Sequence, residues 1–287
     1  MRLGDPVIHL SLERFRLLRD LINKRFGIFF SDDDRYLVES RLSERLMHLD
    51  LPSFDDYYHH LRYHQDGEQE LEQGAEILTT NETYFFREEY QLKAFSQELL
   101  PELHERLINK RRLMIWSAGC SSGEEAYTIA MLVRDSGLFH DWDVRIFGSD
   151  ISARMLAKAR RGIFGPSAFR TTPEDLQRRH FNPAPGGLLV NENIRALCHF
   201  GRLNLLDEEK IIFVGRADVV LCRNVLIYFD KRSKSRALSI IYDRLNDDGY
   251  LLLGHTESLL NLSTAFELVH LRNDLVYRRP KAVSDGF

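Results

Sequence analysis

Residues 115–127 read IWSAGCSSGEEAY, an apolar run that breaks into a turn of small residues and then into a stretch opened by two glutamates. This order of strand, small-residue turn and helix start is the part of an α/β sheet that lets a ligand approach the backbone and cradles an adenosine-bearing cofactor. A second segment, residues 79–87, reads TTNETYFFR. It is too polar for a core and too rich in aromatics for a plain linker. The pair predicts a cofactor site closed by a preceding segment of chain, and hence an enzyme.

The hydrophobic period changes near residue 110. Before it, Leu10, Leu12, Phe15, Leu18, Leu21, Ile22 and Phe26 recur at helical spacing and Gly27 supplies a stop. Ser31 and Asp34 form a capping-box pattern ahead of a helix over residues 32–48, whose expected apolar stripe is Tyr36, Leu37, Leu42, Leu46 and Met47. Pro52 and Ser53 open a third helix, and a fourth covers residues 68–78. Beyond residue 110, short apolar runs at 112–117, 144–149, 217–222 and 249–254 alternate with helical stretches at 123–136, 152–161 and 231–246. That alternation predicts βαβ units and a mostly parallel sheet. The closing FELVHL, RNDL and VYRR read as a hairpin whose last strand runs antiparallel. An α/β sheet of that kind is similar to the class I methyltransferase variant of the Rossmann fold. Residues 163–203 break the alternation with PAPGG, a short helix (PEDLQRRHF) and two short strands (LLV and IRALCHF), read together as a small β insertion.

The chain of 287 residues therefore divides into an all-helical domain at 1–78, a linker at 79–90 that contributes to the cofactor site, and a catalytic domain at 91–287 carrying the β subdomain at 163–203. A net charge of -4 excludes a chain-wide basic field for nucleic acid. No apolar run reaches the roughly 18 residues of a membrane span, and the N-terminus lacks a signal peptide's pattern. Cys120, Cys198 and Cys222 lie far apart without CxxC spacing, so neither a disulfide framework nor a metal site is expected and the natural setting is a reducing cytoplasm.

Several polar residues fall where a sheet of this kind binds ligands. Glu124 and Glu125 sit in the first turn after AGCSSG, where they either pair with the helix N-terminus or meet the cationic amino group of a bound amino-acid moiety. Asp150 ends the second strand in FGSD, placed either to bind both ribose hydroxyls or to cap the next helix. Asn224 and Tyr228 in CRNVLIYFD follow the third of the four predicted strands, at the sheet's carboxyl edge. Asn204 in LNLLD reads by itself as a turn residue, and a lone His255 in GHTES as a structural one.

The motifs TTNETYFFR, WSAGCSSGEEAY, SDIS, NLLD, CRNVLIYFDK and GYLLLGHTES, in this order and spacing, resemble the CheR chemoreceptor glutamate methyltransferases over nearly the whole chain. The resemblance implies S-adenosylmethionine as methyl donor, S-adenosylhomocysteine as product, no metal, and receptor glutamates as acceptors that become methyl esters. It implies cofactor contacts from Asn81, Thr83, Arg87, Glu125 (or its neighbour Glu124), Asp150, Asn204, Leu205, Asn224 and Val225, and places Arg87 and Tyr228 beside the reactive methyl. It also implies docking of an acidic receptor helical bundle on the second helix through Arg35, Arg41 and Arg45, with Lys24 and Arg25 just before them. The stretch between Phe181 and Phe200 is short for a loop that grips a receptor's C-terminal pentapeptide, which predicts no such tether. Two other readings remain open at this point: a class I methyltransferase with a non-receptor acceptor, and a regulatory module that senses S-adenosylmethionine without turnover.

Overall fold

The computed structural model describes residues 8–281. Its contacts divide the chain into two compact units, one running up to Thr80 and joined by Tyr228–Ser233, the other Asn81–Ile227 together with the chain from Lys234 onward.

The first unit holds four helices: α1 (Leu12–Phe26), α2 (Arg35–His48), α3 (Phe54–Tyr63) and α4 (Gly67–Leu78). Their ends follow local chemistry. Ser11 Oγ accepts from Arg14 N–H (3.2 Å) at the start of α1, and Gly27 closes it at φ 76°. The Ser31 amide donates to Asp34 Oδ2 (2.7 Å), the predicted capping box, over a 3-10 turn at Asp32–Asp34. Phe15, Leu18, Ile22 and Phe26 of α1 pack inward with Val38, Leu42 and Leu46 of α2. The expected α2 stripe is corrected here. Tyr36, Leu37 and Met47 are exposed, and Val38 takes their place. Each helical residue turns the side chain by about 100°, so Leu37 lies a full step off the i, i+4, i+8 face set by Val38, Leu42 and Leu46. Segment Tyr228–Ser233 joins this unit by a bridge between Ile28 and Phe229 and by Asn23 Nδ2 donating to Asp230 Oδ2 (2.9 Å).

The second unit opens with α5 (Glu89–Ala94), a π turn at Phe95–Leu99 and α6 (Leu100–Leu107). There follow β1 (Arg112–Ala118), α7 (Glu124–Asp135), β2 (Asp143–Asp150), α8 (Ala153–Arg161) and β3 (Ile163–Phe164). Next come α9 (Glu174–His180), β4 (Phe181–Ala184), β5 (Gly187–Val190), α10 (Glu192–Arg195), β6 (Cys198–Arg202) and α11 (Glu208–Ile211). The chain continues with β7 (Ala217–Cys222), α12 (Lys231–Arg244, begun in the first unit), β8 (Leu245–Leu253), β9 (Glu267–His270) and β10 (Leu275–Arg278). The main sheet has the order β6-β2-β1-β7-β8-β10-β9. Its first five strands run parallel, while β10 is antiparallel to both β8 and β9. This is the mostly parallel sheet with a reversed terminal hairpin that the sequence predicts. Every residue of β7 is buried, as a central parallel strand covered on both faces requires.

The stretch 163–203 divides. Strands β3, β5 and β4 form a separate antiparallel sheet, but residues 198–202, which begin within IRALCHF, pair in parallel with β2, from Ile146 opposite Cys198 to Asp150 opposite Arg202. The run is too short to announce its partner, and the prolines and glycines before it hide the return to the main sheet.

Candidate active site

The chain winds from β1 outward to β2 and β6, then restarts at β7 on the other side of β1. That reversal of winding leaves a crevice at the carboxyl ends of β1 and β7, where open α/β sheets bind ligands. The small-residue turn lies there. Gly119, Ser121 and Gly123 all have positive φ (82°, 49° and 95°), and the amides of Gly119 and Cys120 donate to Ser149 O at 2.8 and 2.9 Å. A Cβ on Gly119 would meet Val225 Cγ2 at 2.3 Å, so only glycine lets this turn meet the loop after β7 so closely.

Asp150 stands at the carboxyl end of β2. Its Oδ2 accepts from Ser121 N–H and its Oδ1 from Ser152 N–H, each at 2.8 Å. The cap of α8 is Ser152, whose Oγ accepts from Met155 N–H (3.0 Å). The capping alternative for Asp150 is thereby taken by a neighbour, and its carboxylate is held against the turn instead.

The two glutamates of α7 part company. Glu124 is buried with Ser122 Oγ donating to its Oε2 (2.8 Å), and burial pushes its carboxyl above the usual range. Glu125 accepts from Ser117 Oγ (2.6 Å) and from Arg223 Nη1 (3.0 Å). Arg223 in turn donates through Nη2 to the Arg87 carbonyl (2.7 Å) and to Glu88 Oε2 (3.1 Å), with its side chain only 3% exposed. One buried guanidinium therefore ties β1, α7 and the 79–87 segment to the end of β7.

That segment is anchored by Phe85, which is fully buried among Phe164, Phe169 and Phe181 at ring separations of 4.8, 5.2 and 4.9 Å. The Phe85 amide donates to Ala168 O (2.9 Å), and the Phe86 amide to Thr128 Oγ1 on α7 (3.2 Å). Ahead of the anchor, Ser121 Oγ donates to the Asn81 carbonyl (3.3 Å), so the segment touches the turn itself. Thr83 and Arg87 are half-buried. Arg87 Nη1 donates to Glu82 O (3.2 Å), and its guanidinium lies 5.7 Å from the Tyr84 ring, which Arg170 also covers at 3.9 Å.

The remaining expected contacts fall on loops at the same edge. Asn204, after β6, closes a turn with Oδ1 accepting from Leu206 N–H (3.0 Å), and Leu205 beside it is buried. Asn224, after β7, has φ 57° and is followed by Val225. Asn81, Thr83, Arg87, Glu124, Glu125, Asp150, Asn204, Leu205, Asn224 and Val225 thus all belong to the second unit. Tyr228 belongs to the first, where its carbonyl accepts from Phe29 N–H (2.9 Å).

The arginines of α2 also lie in the first unit, already engaged. Arg35 Nη1 donates to Leu10 O (3.0 Å) and Arg41 Nη1 to Leu78 O (2.7 Å). Arg45 Nε meets Glu70 Oε1 (3.0 Å), which also accepts from Tyr57 OH (2.9 Å). Glu70 is 3% exposed, so Arg45 neutralises a buried carboxylate and its charge is spent inside the unit.

Reading of the sequence missed Arg223, Glu88 and Glu257. The available signal was charge in unexpected places, an arginine directly after the apolar ADVVLC and a glutamate two residues past a tempting histidine. Among the described residues no group of three or more His, Cys, Asp or Glu can hold a metal ion, and no helix is long and apolar enough to cross a membrane.

Comparison with known proteins follows the same two segments. The family model described as "CheR methyltransferase, SAM binding domain" matches residues 81–275, and "CheR methyltransferase, all-alpha domain" matches residues 13–79. Chemotaxis protein methyltransferase 2 of Vibrio cholerae is 36% identical over 274 residues, covering 94% of each chain. Chemotaxis protein methyltransferase 2 of Pseudomonas aeruginosa is 38% identical over 266 residues and 91% of each chain. Chemotaxis protein methyltransferase of Borreliella burgdorferi is 34% identical over 258 residues, covering 88% of this chain and 90% of that one.

Proposed function

Because the chain belongs to the CheR methyltransferase family, we propose that it transfers the methyl group of S-adenosylmethionine to glutamate side chains of chemotaxis receptors, forming glutamyl methyl esters. The observation that carries this reading is that Asp150 and the Asn81 carbonyl both meet Ser121 of the turn, while Glu125 and the Arg87 carbonyl share Arg223 at the end of β7. The donor set suits the cofactor. Asp150 fits a ribose diol, and Glu125, which faces the same guanidinium as the Arg87 carbonyl, fits a cationic amino group. Of the two glutamates, Glu125 is the better candidate, since Glu124 is buried against Ser122.

Bound S-adenosylmethionine supplies an electrophilic methyl on a sulfonium. A glutamate acceptor, with a pKa near 4.3, is already an anionic nucleophile at neutral pH and needs no general base. The protein's task is then orientation and exclusion of water. Arg87 holds one carboxylate oxygen so that the other is aimed; a tighter clamp would stabilise the ground state equally and leave kcat unimproved. Asn81, Thr83, Asn204, Leu205, Asn224 and Val225 complete the pocket for the donor. Tyr228 enters through the CRNVLIYFD motif, as a hydroxyl contact to the reacting groups.

Residues 1–78 serve in this proposal as the receptor-docking domain, 79–90 as the segment closing the cofactor site, and 91–287 as the methyltransferase domain with its β subdomain. Docking falls to Arg35, Arg41 and Arg45 of α2, beside the exposed Tyr36 and Leu37. The decisive experiment is transfer of labelled methyl from S-adenosylmethionine to membranes bearing the cognate receptors. Base-labile label on a receptor band is expected, and Arg41→Glu should lower the rate in low salt more than in high salt. Cofactor binding with no labelled receptor would reject the acceptor, and unchanged Arg41→Glu kinetics would reject the docking face.

A pentapeptide tether is not part of this proposal. Edge strand β4 of the small sheet contains Pro183, which has no N–H to offer an added strand, and β4 and β5 are joined directly across Pro185 and Gly186. A C-terminal receptor pentapeptide is expected to show no calorimetric binding at about 100 μM; a Kd in the low micromolar range would overturn this.

A further inference from the structure

Glu257 lies in the GHTES motif after β8, half-buried, next to the exposed His255 that draws the eye in the sequence. Its carboxylate is the meeting point of four backbone amides. Oε2 accepts from Asn224 N–H (2.7 Å) and Gly254 N–H (2.8 Å); Oε1 accepts from Val225 N–H and Ile227 N–H, both at 3.1 Å. Three of these amides come from the loop after β7, and the fourth, that of Gly254, directly follows β8. The loop could not turn its amides toward one point in extended conformation, and Asn224 reaches the required direction at φ 57°. Gly254 is matched to the same arrangement, since a Cβ there would lie 2.7 Å from Glu257 Oε2 and 2.8 Å from Asn224 N. The glutamate amide also donates to Gly254 O (2.8 Å), closing the turn that presents the side chain.

We infer that Glu257 is the positioning residue of the cofactor site: its carboxylate gathers the loop's amides and so fixes Asn224 and Val225 before the donor arrives. This rests on the assignment of those two residues to the S-adenosylmethionine pocket. The physical basis is that successive N–H groups turned to one point form a concavity for an anion, and here the protein fills it with its own carboxylate. A negative charge serves all four donors at once. A neutral amide cannot, because whichever way Glu257→Gln turns, its NH2 faces two of the four N–H groups. Loss of pre-organisation then appears as weaker binding of the donor rather than as a slower bound-state step.

The test uses the full-length protein, S-adenosylhomocysteine as the calorimetric probe, and methyl transfer for kinetics. Glu257→Gln is expected to raise the S-adenosylhomocysteine Kd and the S-adenosylmethionine KM about 10- to 100-fold, with kcat at saturating donor within about threefold of wild type. His255→Ala should match wild type in all three quantities. A folded Glu257→Gln protein whose Kd lies within twofold of wild type overturns the inference, as does a loss confined to kcat. Should Glu257→Gln not fold, hydrogen exchange of the wild-type protein without donor decides: amides of Asn224, Val225 and Ile227 slowed at least about 10³-fold support a preformed loop, and exchange at exposed-loop rates overturns it. Wild-type protein that fails to bind S-adenosylhomocysteine at all would instead remove the pocket assignment, an outcome separate from a failure of Glu257 alone.

Discussion

Arg223→Met is expected to destabilise the protein by about 3 kcal/mol, the lower end for removing one partner of a buried ion pair. The guanidinium is 3% exposed, while Glu125 and Glu88 are 14% and 19% exposed, which is why the upper end is not expected. The substitution keeps the volume roughly constant, so the loss comes from two carboxylates and the Arg87 carbonyl left without their donor. Arg223→Lys should rescue little, because an ammonium on a flexible stem cannot meet the positions that the planar fork serves together. Chemical denaturation of wild type and both variants reads this directly. A change below about 1 kcal/mol for Arg223→Met would mean that the network is replaceable by water, and that the 79–87 segment is held by Phe85 and the segment's bonds to Ala168, Thr128 and Ser121.

Arg87→Ala is expected to do the opposite, lowering kcat/KM about 10²-fold or more while leaving stability within about 0.5 kcal/mol. The division follows from which atoms of Arg87 are used. Its carbonyl is the acceptor for Arg223 and survives any substitution of the side chain. Its guanidinium makes one bond to the Glu82 carbonyl and lies beside the Tyr84 ring, contacts whose loss costs little at a half-buried position. The side chain is therefore available to an acceptor carboxylate. Steady-state kinetics with receptor membranes separate the roles: a fall in kcat identifies orientation of the acceptor, and a rise in receptor KM alone identifies uniform binding. An unchanged kcat/KM would remove Arg87 from the chemistry.

The two variants set residues legible in the sequence against residues that were not. Arg87 stands in a segment whose mixture of polar and aromatic residues marks it as a site candidate before any fold is known, although the structure shows that its Phe85 is a core anchor. Arg223 and Glu257 sit in equally visible motifs, yet attention there falls on Asn224, Tyr228 and His255. Many helix and strand positions were legible for the same reason, but the helices spanning Glu89–Leu107 were not read from the sequence. The Ser31/Asp34 box, the stop at Gly27 and the alternation after residue 110 each act within a few residues. Where the reading slipped, the deciding contact was remote. Residues 198–202 resemble the insertion until β2 pairs with them.

The chain's own order of residues determined the helical first segment, the βαβ alternation, the small-residue turn and the family's motifs, because each depends on spacing along a few turns or one strand. Tertiary structure alone decided which charges are spent internally and which remain for ligands. Arg223 lies 98 residues from Glu125 and 136 from Arg87, and Glu257 lies 33 from Asn224. Only the sheet order that places β7 between β1 and β8 brings these groups within hydrogen-bonding distance. A side chain's role is set by the partner that desolvation forces on it, and that partner is chosen by the fold.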